Sequence, residues 1–282
     1  MARKNVLTAL AMAVGLAVTA PAVNGCVSVG STTANSSTTD RTQIMLVSEA
    51  EVNQAAVKNY NQVLTEAKTQ KALNTDAKST KRVKAIGQKL IAKAPQFRPE
   101  SKNWNWEINV IDSEEVNAWC MPGGKIAVFT GLINTIKPTD DELAVVIGHE
   151  IAHALREHSR EQMSAEYAKQ TALNVASFLG VDQQKLAIGD ALSNIGFSLP
   201  FSRSHETEAD ELGLELVYAA GYNTDAASTL WTKMNALSGS SNALANLLST
   251  HPSGDDRIEN LTALSNRLKA EKAAKGDVKS GK

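Results

Sequence analysis

Two histidines four residues apart, His149 and His153, lie near the middle of the chain, and Glu150 directly follows the first of them. On a helix, positions i and i+4 lie one turn apart on the same face, so both imidazoles can point at one ion. Imidazole nitrogens are common zinc ligands, and bound zinc lowers the pKa of water to about 7. A carboxylate beside the ion can then take a proton from that water. The spacing therefore predicts two ligands for one zinc ion and Glu150 as the general base of a hydrolase.

A third zinc ligand is predicted farther along the chain, where Glu206 stands four residues before Asp210 and so on the same helix face. An aspartate in that position can accept the free N–H of a zinc-bound imidazole and fix its orientation. Glu208 is the rival ligand, but it points to another side of the helix. The alternative for the whole stretch is an exposed acidic first turn favoured by the helix dipole. His158 lies five residues past the motif, about 500° round the helix, so we expect it behind the site or on the surface.

The residues before the motif predict two helices followed by strands. Alternating apolar and aromatic residues predict strands over residues 104–111, 117–121 and 126–130, with PGGK as the turn between the last two. The strand KIAVFT, if it is an edge strand, could hold an extended substrate by main-chain pairing, and the alternative is an ordinary core strand. Two helical stripes precede these strands: Val52, Ala56, Val63 and Ala67, then Val83, Ile86, Leu90 and Ile91.

Capping residues predict where the two helices of the site begin and end. Thr139 and Glu142 predict a capping box at the start of the motif helix. Ser204 is a candidate N-cap for the helix of Glu206, and Gly221 is a candidate C-cap. The predicted fold class is α+β, mostly helical, with a small β-sheet beside the His-Glu-x-x-His helix.

The ends of the chain differ in character from its middle. A short basic start and an apolar stretch over residues 6–18 predict a signal peptide over residues 1–25. VNGC is similar to a lipobox and predicts lipidation of Cys26, whereas cleavage after Ala22 is the alternative and would allow a disulfide between Cys26 and Cys120.

Three further segments follow the predicted signal peptide. We predict a Ser/Thr-rich tether over residues 26–42, a single folded domain over residues 43–272 and a flexible tail over residues 273–282. The formal net charge of -1, with no dense basic cluster, gives no reason to expect nucleic acid as a partner.

Four motifs, PGGKIAVFTGLI, HEIAH, SRSHETEAD and THPSGDDRI, occur in the order and rough spacing seen in HtpX-like zinc endopeptidases, the family that includes the CAAX prenyl protease. The chain resembles this gluzincin family over residues 80–270 and looks nearest to its bacterial periplasmic or lipoprotein branch, typified by LoiP and BepA. The resemblance implies a zincin-like metalloprotease domain with one zinc ion bound by His149, His153 and Glu206.

The same resemblance implies further roles. His251 matches a histidine that approaches the zinc, either to stabilise the oxyanion or to close the site as a fourth ligand, and Arg257 matches an arginine that supports the same carbonyl oxygen. Asp210 matches the second acid of the Glu-x-x-x-Asp pair.

The implied function is hydrolysis of unfolded or misfolded envelope proteins by a protein in the cell envelope. It would be lipid-anchored to a membrane facing the periplasm, with the outer membrane favoured, or otherwise soluble in the periplasm. A chaperone-like assembly factor with a mostly closed zinc site is the alternative function, and a non-peptidase zinc hydrolase is a third.

Overall fold

A computed structural model of the protein describes residues 27–29, 41–178, 200–238, 244–252 and 256–280. The predicted signal peptide and Cys26 lie outside these residues. The described strands are β1 Val27–Val29, β2 Gln43–Met45, β3 Glu107–Ile111, β4 Ala118–Met121 and β5 Lys125–Phe129. The described α-helices are α1 Glu49–Thr69, α2 Ala77–Ile91, α3 Thr130–Ile136, α4 Asp140–Leu155, α5 His158–Phe178, α6 Arg203–Ala219, α7 Ala226–Ser238, α8 Ala245–Thr250 and α9 Arg257–Ser280. Short 3-10 helices over Ala94–Gln96 and Pro99–Asn103 join α2 to β3. The predicted α+β class, mostly helical, is confirmed.

The main sheet has three strands in the order β3-β5-β4. β3 runs parallel to β5 with Ile108 opposite Ile126, and β4 runs antiparallel to β5 with Ala118 opposite Val128. The predicted turn between β4 and β5 places Gly123 at φ 76° and Gly124 at φ 83°, a backbone conformation that glycine adopts without steric cost.

β5 is the central strand of this sheet, and every one of its residues is buried. Of the two alternatives predicted for KIAVFT, the core strand is therefore confirmed and the edge strand is wrong. β5 is paired on both sides because β3, from an earlier part of the chain, joins it in parallel, and local sequence pattern does not reveal such a long-range pairing. Among the described residues β3 and β4 each have a strand on one side only, and of these two edge strands it is β4 that packs closely against α4.

α4 carries the His-Glu-x-x-His motif and is the central helix of the fold. Its capping box is confirmed: the Thr139 hydroxyl accepts from the Glu142 backbone N–H at 3.2 Å, and the Glu142 carboxylate accepts from the Thr139 backbone N–H at 2.7 Å. Every residue of α4 from Glu142 to Leu155 is buried. A helix that is apolar all round belongs in the interior, and here it lies between the sheet and α6.

α4 and α6 cross in close contact at two glycines. A Cβ atom added to Gly213 on α6 would lie 2.9 Å from the N and Cα atoms of His149, and one added to Gly148 would lie 2.8 Å from a methyl of Val217. Only glycine lets the two backbones approach this closely. The crossing brings the first turn of α6 to the same level as the two motif histidines.

α6 begins two residues earlier than predicted. Ser202, not Ser204, is its N-cap, and the Ser202 hydroxyl accepts from the backbone N–H of His205 at 3.2 Å. The two serines are alike as caps, so sequence does not choose between them. At the other end Gly221 has φ 85° and follows the cap residue Ala220, which confirms that a glycine ends this helix.

Contacts are described at the two ends of residues 26–42, the stretch predicted as a tether. β1 pairs antiparallel with β2, with Val27 opposite Met45. Arg41 forms an ion pair with Glu161 on α5. None of the described helices is both long enough and apolar enough to cross a bilayer.

Candidate metal centre

Four buried side chains point their nitrogen and oxygen atoms at one place. They are His149 and His153 from α4, Glu206 from α6 and His251 from the segment that follows α8, and their candidate ligand atoms all lie within 4.8 Å of one another. The Nε2 atoms of His149 and His153 are 3.0 Å apart. The Glu206 carboxylate lies 3.4 Å from the first of these nitrogens and 3.3 Å from the second.

Asp210 fixes the orientation of one of these histidines. Its Oδ1 lies 3.0 Å from Nδ1 of His149, and because a carboxylate can only accept, Nδ1 of His149 carries the proton. In the neutral imidazole Nε2 then has a free lone pair, which faces His153 and Glu206. A divalent cation among these three groups would satisfy the lone pairs, so the residues fit a zinc ion.

The side chains of the cluster shift one another's pKa values because they are charged, buried and close together. Burial opposes a charge on His149, but the negative charges of Glu206 and Asp210 outweigh it and raise the pKa of His149 to about 10. Burial also opposes the charge on Glu206, yet His149, His153 and His251 hold the pKa of its carboxyl far below the usual range. Burial keeps the pKa of His153 well below its ordinary value. Without a metal, His149 therefore carries an additional proton that a cation would displace.

Glu150 lies beside the four-residue cluster without belonging to it. Its side chain is buried, and burial is the main cause that raises the pKa of its carboxyl. Nε2 of His251 lies 3.6 Å from Oε1 of Glu150, while Nδ1 of His251 lies 3.1 Å from Oε1 of Glu206. His251 therefore stands between Glu150 and Glu206.

Arg257 is engaged with the acids behind the cluster. Its guanidinium contacts Asp210 through Nε at 2.6 Å and Nη2 at 2.7 Å, and its Nη1 lies 3.1 Å from Glu206. It stacks on the ring of Trp231 at 3.9 Å. The structure therefore places Arg257 behind Glu206 and Asp210, in contact with both.

His158 and Glu208, neither of which is predicted to bind the zinc, lie in contact with each other. His158 is fully buried, and its Nδ1 lies 2.8 Å from Nδ1 of His153. Its Nε2 lies 3.2 Å from the carboxylate of Glu208. Both residues thus lie behind His153. Sequence reasoning missed Phe201, whose ring stacks on His153 at 4.0 Å; a phenylalanine just before a helix gave no signal of this contact.

Cys120 is buried near Glu150, and it has no disulfide partner among the residues that the structure describes. Burial raises the pKa of this thiol well above its usual value. Its predicted alternative pairing involves Cys26, which lies outside the described residues, so the pairing stays a prediction.

The fold and the cluster define a zincin-type metallopeptidase: a buried His-Glu-x-x-His helix beside a small sheet, with a glutamate brought in from a second helix. The sequence model of Peptidase family M48 matches residues 77–265, and the chain belongs to that family. This confirms the predicted class of enzyme, a zinc metalloendopeptidase, and zinc as its cofactor.

Named relatives agree with the family. The chain is 42% identical over 154 residues to mitochondrial metalloendopeptidase OMA1 of Arabidopsis thaliana. The aligned residues make up 54% of this chain and 30% of that protein. The chain is 33% identical over 245 residues to the OMA1 metalloendopeptidase of Bos taurus, covering 80% of this chain and 45% of that protein. Metalloprotease YcaL of Escherichia coli is 26% identical over 152 residues, covering 53% of this chain and 58% of that protein. The chain thus spans less than half the length of these two mitochondrial relatives.

These relatives bear on two of the expectations drawn from sequence, the location and the branch of the family. The predicted location in a bacterial cell envelope is contradicted, because the OMA1 relatives are mitochondrial enzymes. The predicted gluzincin-type family is confirmed by the match to Peptidase family M48, but its periplasmic or lipoprotein branch is not shown, since YcaL is less similar to the chain than these two mitochondrial relatives are.

Proposed function

We propose that this protein hydrolyses peptide bonds of unfolded or misassembled proteins, with His149, His153 and Glu206 as zinc ligands and Glu150 as general base. The observation that carries the proposal is the convergence of these ligand atoms, from two helices, on one buried place with a carboxyl group beside it. A zinc ion held there supplies Lewis acidity, which polarises a carbonyl group and lowers the pKa of water to about 7.

Glu150 takes the proton of the attacking water and delivers it to the leaving amine. A group with both tasks works best when its pKa lies close to the pH of the reaction. Burial raises the pKa of the Glu150 carboxyl in that direction. Burial among α4 and its neighbours also keeps the carboxyl in one place.

His251 serves as the donor to the carbonyl oxygen as negative charge develops there. Its position between Glu150 and Glu206 supports this role, since a donor is effective when it is already aimed at the charge that forms. Arg257 acts differently from the expectation drawn from sequence. Because its guanidinium is bound to Asp210 and Glu206, it positions these two acids.

The edge of β4 holds the substrate in an extended conformation. A strand edge offers unpaired backbone N–H and C=O groups, to which an extended segment can add as a further strand. Main-chain pairing demands little of the substrate sequence, but the segment must be free of its own secondary structure. This requirement supports unfolded or misassembled proteins as the substrate class.

The alternative function is a chaperone-like factor whose zinc site is mostly closed, and one observation favours it. His251 supplies a fourth donor, 3.3 Å from Nε2 of His149, and four protein ligands are typical of structural zinc sites rather than catalytic ones. The variant His251→Ala separates the two functions. Proteolysis rises in this variant if His251 closes the site, and it falls if His251 assists the reaction.

The Glu150→Gln variant tests the proposed function. We expect it to fold and to bind zinc like the wild type, while cleavage of a denatured protein substrate falls by about 10²- to 10⁴-fold, the usual contribution of a general base. Glu66→Gln, the same substitution on α1, is the matched control and should cleave at the wild-type rate. Wild-type activity in the Glu150→Gln variant would refute the assigned role.

A further inference from the structure

His153 is held from behind by a second histidine. Its Nδ1 lies 2.8 Å from Nδ1 of His158, so one of the two nitrogens donates to the other. Nε2 of His158 faces the Glu208 carboxylate, which can only accept, so that nitrogen carries the proton of a neutral His158. Nδ1 of His158 is then an acceptor, and His153 donates to it. This leaves the Nε2 lone pair of His153 directed at the other ligand atoms.

The two motif histidines are thus oriented in different ways. His149 donates directly to a carboxylate, Asp210, whereas His153 donates to a histidine that in turn donates to Glu208. A ligand histidine depends on the group that receives its second ring proton, because that group fixes both tautomer and ring direction. The position of His153 therefore depends on whatever holds Glu208.

Two arginines hold Glu208. Arg156 donates to its Oε2 from Nε at 2.9 Å and from Nη2 at 2.7 Å. Arg41 donates to its Oε1 from Nε at 2.6 Å. The Nη1 and Nη2 atoms of Arg41 donate to the two carboxylate oxygens of Glu161, at 2.5 Å and 2.7 Å. Arg41 comes from the N-terminal segment, more than a hundred residues before its partners.

The rest of this N-terminal segment, residues 41–47, is bound along α5. The side chain of Gln43 is buried and donates to the backbone carbonyl of Arg156 at 2.8 Å. The Ser164 hydroxyl accepts from the backbone N–H groups of Leu46 at 2.9 Å and Val47 at 3.2 Å. These contacts fix the direction in which the segment approaches Glu208.

A second set of contacts leads from the segment to Glu206. His205, the residue before Glu206, stacks on the ring of His158 with centroids 4.4 Å apart. Its Nε2 lies 3.2 Å from the carboxylate of Glu161, which forms an ion pair with Arg41. Residues 41–47 are therefore linked through Glu208 to His158, which contacts His153, and through Glu161 to His205, the residue before Glu206.

We propose that His158 and Glu208 position His153 for zinc and that Arg41 completes this relay, so that docking of residues 41–47 is coupled to metal binding. The inference rests on the proposed function, since it takes His153 as a zinc ligand. These three are positioning residues, because they act on the metal through His153. Contacts of the N-terminal segment, residues 41–47, thereby affect the zinc affinity of the metal site.

The dissociation constant for zinc, measured on the full chain by competition with a chromogenic chelator, tests the relay. His158→Phe keeps an aromatic ring against His205 but removes the acceptor, and we expect zinc affinity to fall by about 10- to 100-fold. Arg41→Ala should cause a smaller loss, of at least about threefold, because Arg156 still holds Glu208. Arg82→Ala is the matched control and should bind zinc normally, since Arg82 pairs with Asp140 at the opposite end of α4.

A second readout separates positioning from general support of the fold. In the metal-free protein, ¹⁵N NMR of the histidine rings should show His153 with its proton on Nδ1, and His158→Phe should shift the proton towards Nε2. A role confined to packing would lower the free energy of unfolding and leave this tautomer unchanged.

The outcomes distinguish the relay from the proposed function on which it rests. If His153→Ala binds zinc as tightly as the wild type, the proposed ligand set is wrong. If His153→Ala loses zinc while His158→Phe, Glu208→Gln and Arg41→Ala all keep wild-type affinity, the relay is overturned. Should His158→Phe not fold, Glu208→Gln carries the test, because it keeps the shape of the side chain and removes its charge.

Discussion

The crossing of α4 and α6 sets how closely Glu206 approaches the motif histidines, and one methyl group at Gly213 tests this. A Cβ atom at Gly213 would lie 2.9 Å from backbone atoms of His149, whereas ordinary contact begins at 3.4 Å, so the helices must separate locally by about 0.5 Å, the difference of the two. Metal–ligand distances vary by only about 0.2 Å. The displacement is therefore large enough to move Glu206 out of place.

Two opposing effects determine how much Gly213→Ala changes the free energy of unfolding. Alanine is the better helix former by about 1 kcal/mol. Overpacking against rigid backbone costs about 1–3 kcal/mol. We therefore expect the metal-free protein to lose up to about 2 kcal/mol of unfolding free energy and zinc affinity to fall about tenfold or more.

Gly87→Ala is the matched control because Gly87 is also a buried helical glycine. Its added Cβ would meet the Cδ1 atom of Ile108 at 2.6 Å, the far end of a side chain that can rotate away. Both variants gain the same helix propensity, so the difference between them isolates the contact between α4 and α6. Urea unfolding of the metal-free proteins and zinc competition titrations give the two quantities. Equal stability and equal zinc affinity in both variants would refute the role assigned to the crossing.

Further predictions concern the helix cap, the proton on the metal site and the buried thiol. Thr139→Ala should lower the free energy of unfolding by about 1 kcal/mol in a denaturant titration, through loss of the capping box, and leave zinc affinity unchanged. Because the pKa of metal-free His149 is raised to about 10, zinc must displace its proton at lower pH. Apparent zinc affinity should then rise with pH up to about 10, and calorimetry in buffers of different ionisation enthalpy at pH 8 should show about one proton released. Affinity that is independent of pH would contradict this. In a Cys26→Ser background, Cys120 should react with a thiol reagent only when the protein unfolds; rapid reaction of the native protein would contradict its burial.

Features that depend on neighbouring residues were readable from the sequence. The Thr139 and Glu142 capping box, the helical stripes of α1 and α2 and the strand positions rest on local spacing, and the structure has them close to where they were predicted. The His-Glu-x-x-His spacing places two imidazoles on one helix face by geometry alone.

Features that depend on long-range packing were not readable. β5 becomes a central strand only because β3 pairs with it in parallel. Arg41 lies in a stretch with the composition of a linker, and its role follows from contacts with Glu161 and Glu208, far away in sequence. The position of Arg257 likewise follows from packing on Trp231.

The most direct measurement is a zinc-edge anomalous diffraction map of crystals grown with the metal. One peak per chain is expected, within bonding distance of both Nε2 atoms of the motif histidines and of the carboxylate of residue 206. A peak at any other place, or no peak in crystals of the folded protein supplied with zinc, would contradict the proposed metal centre.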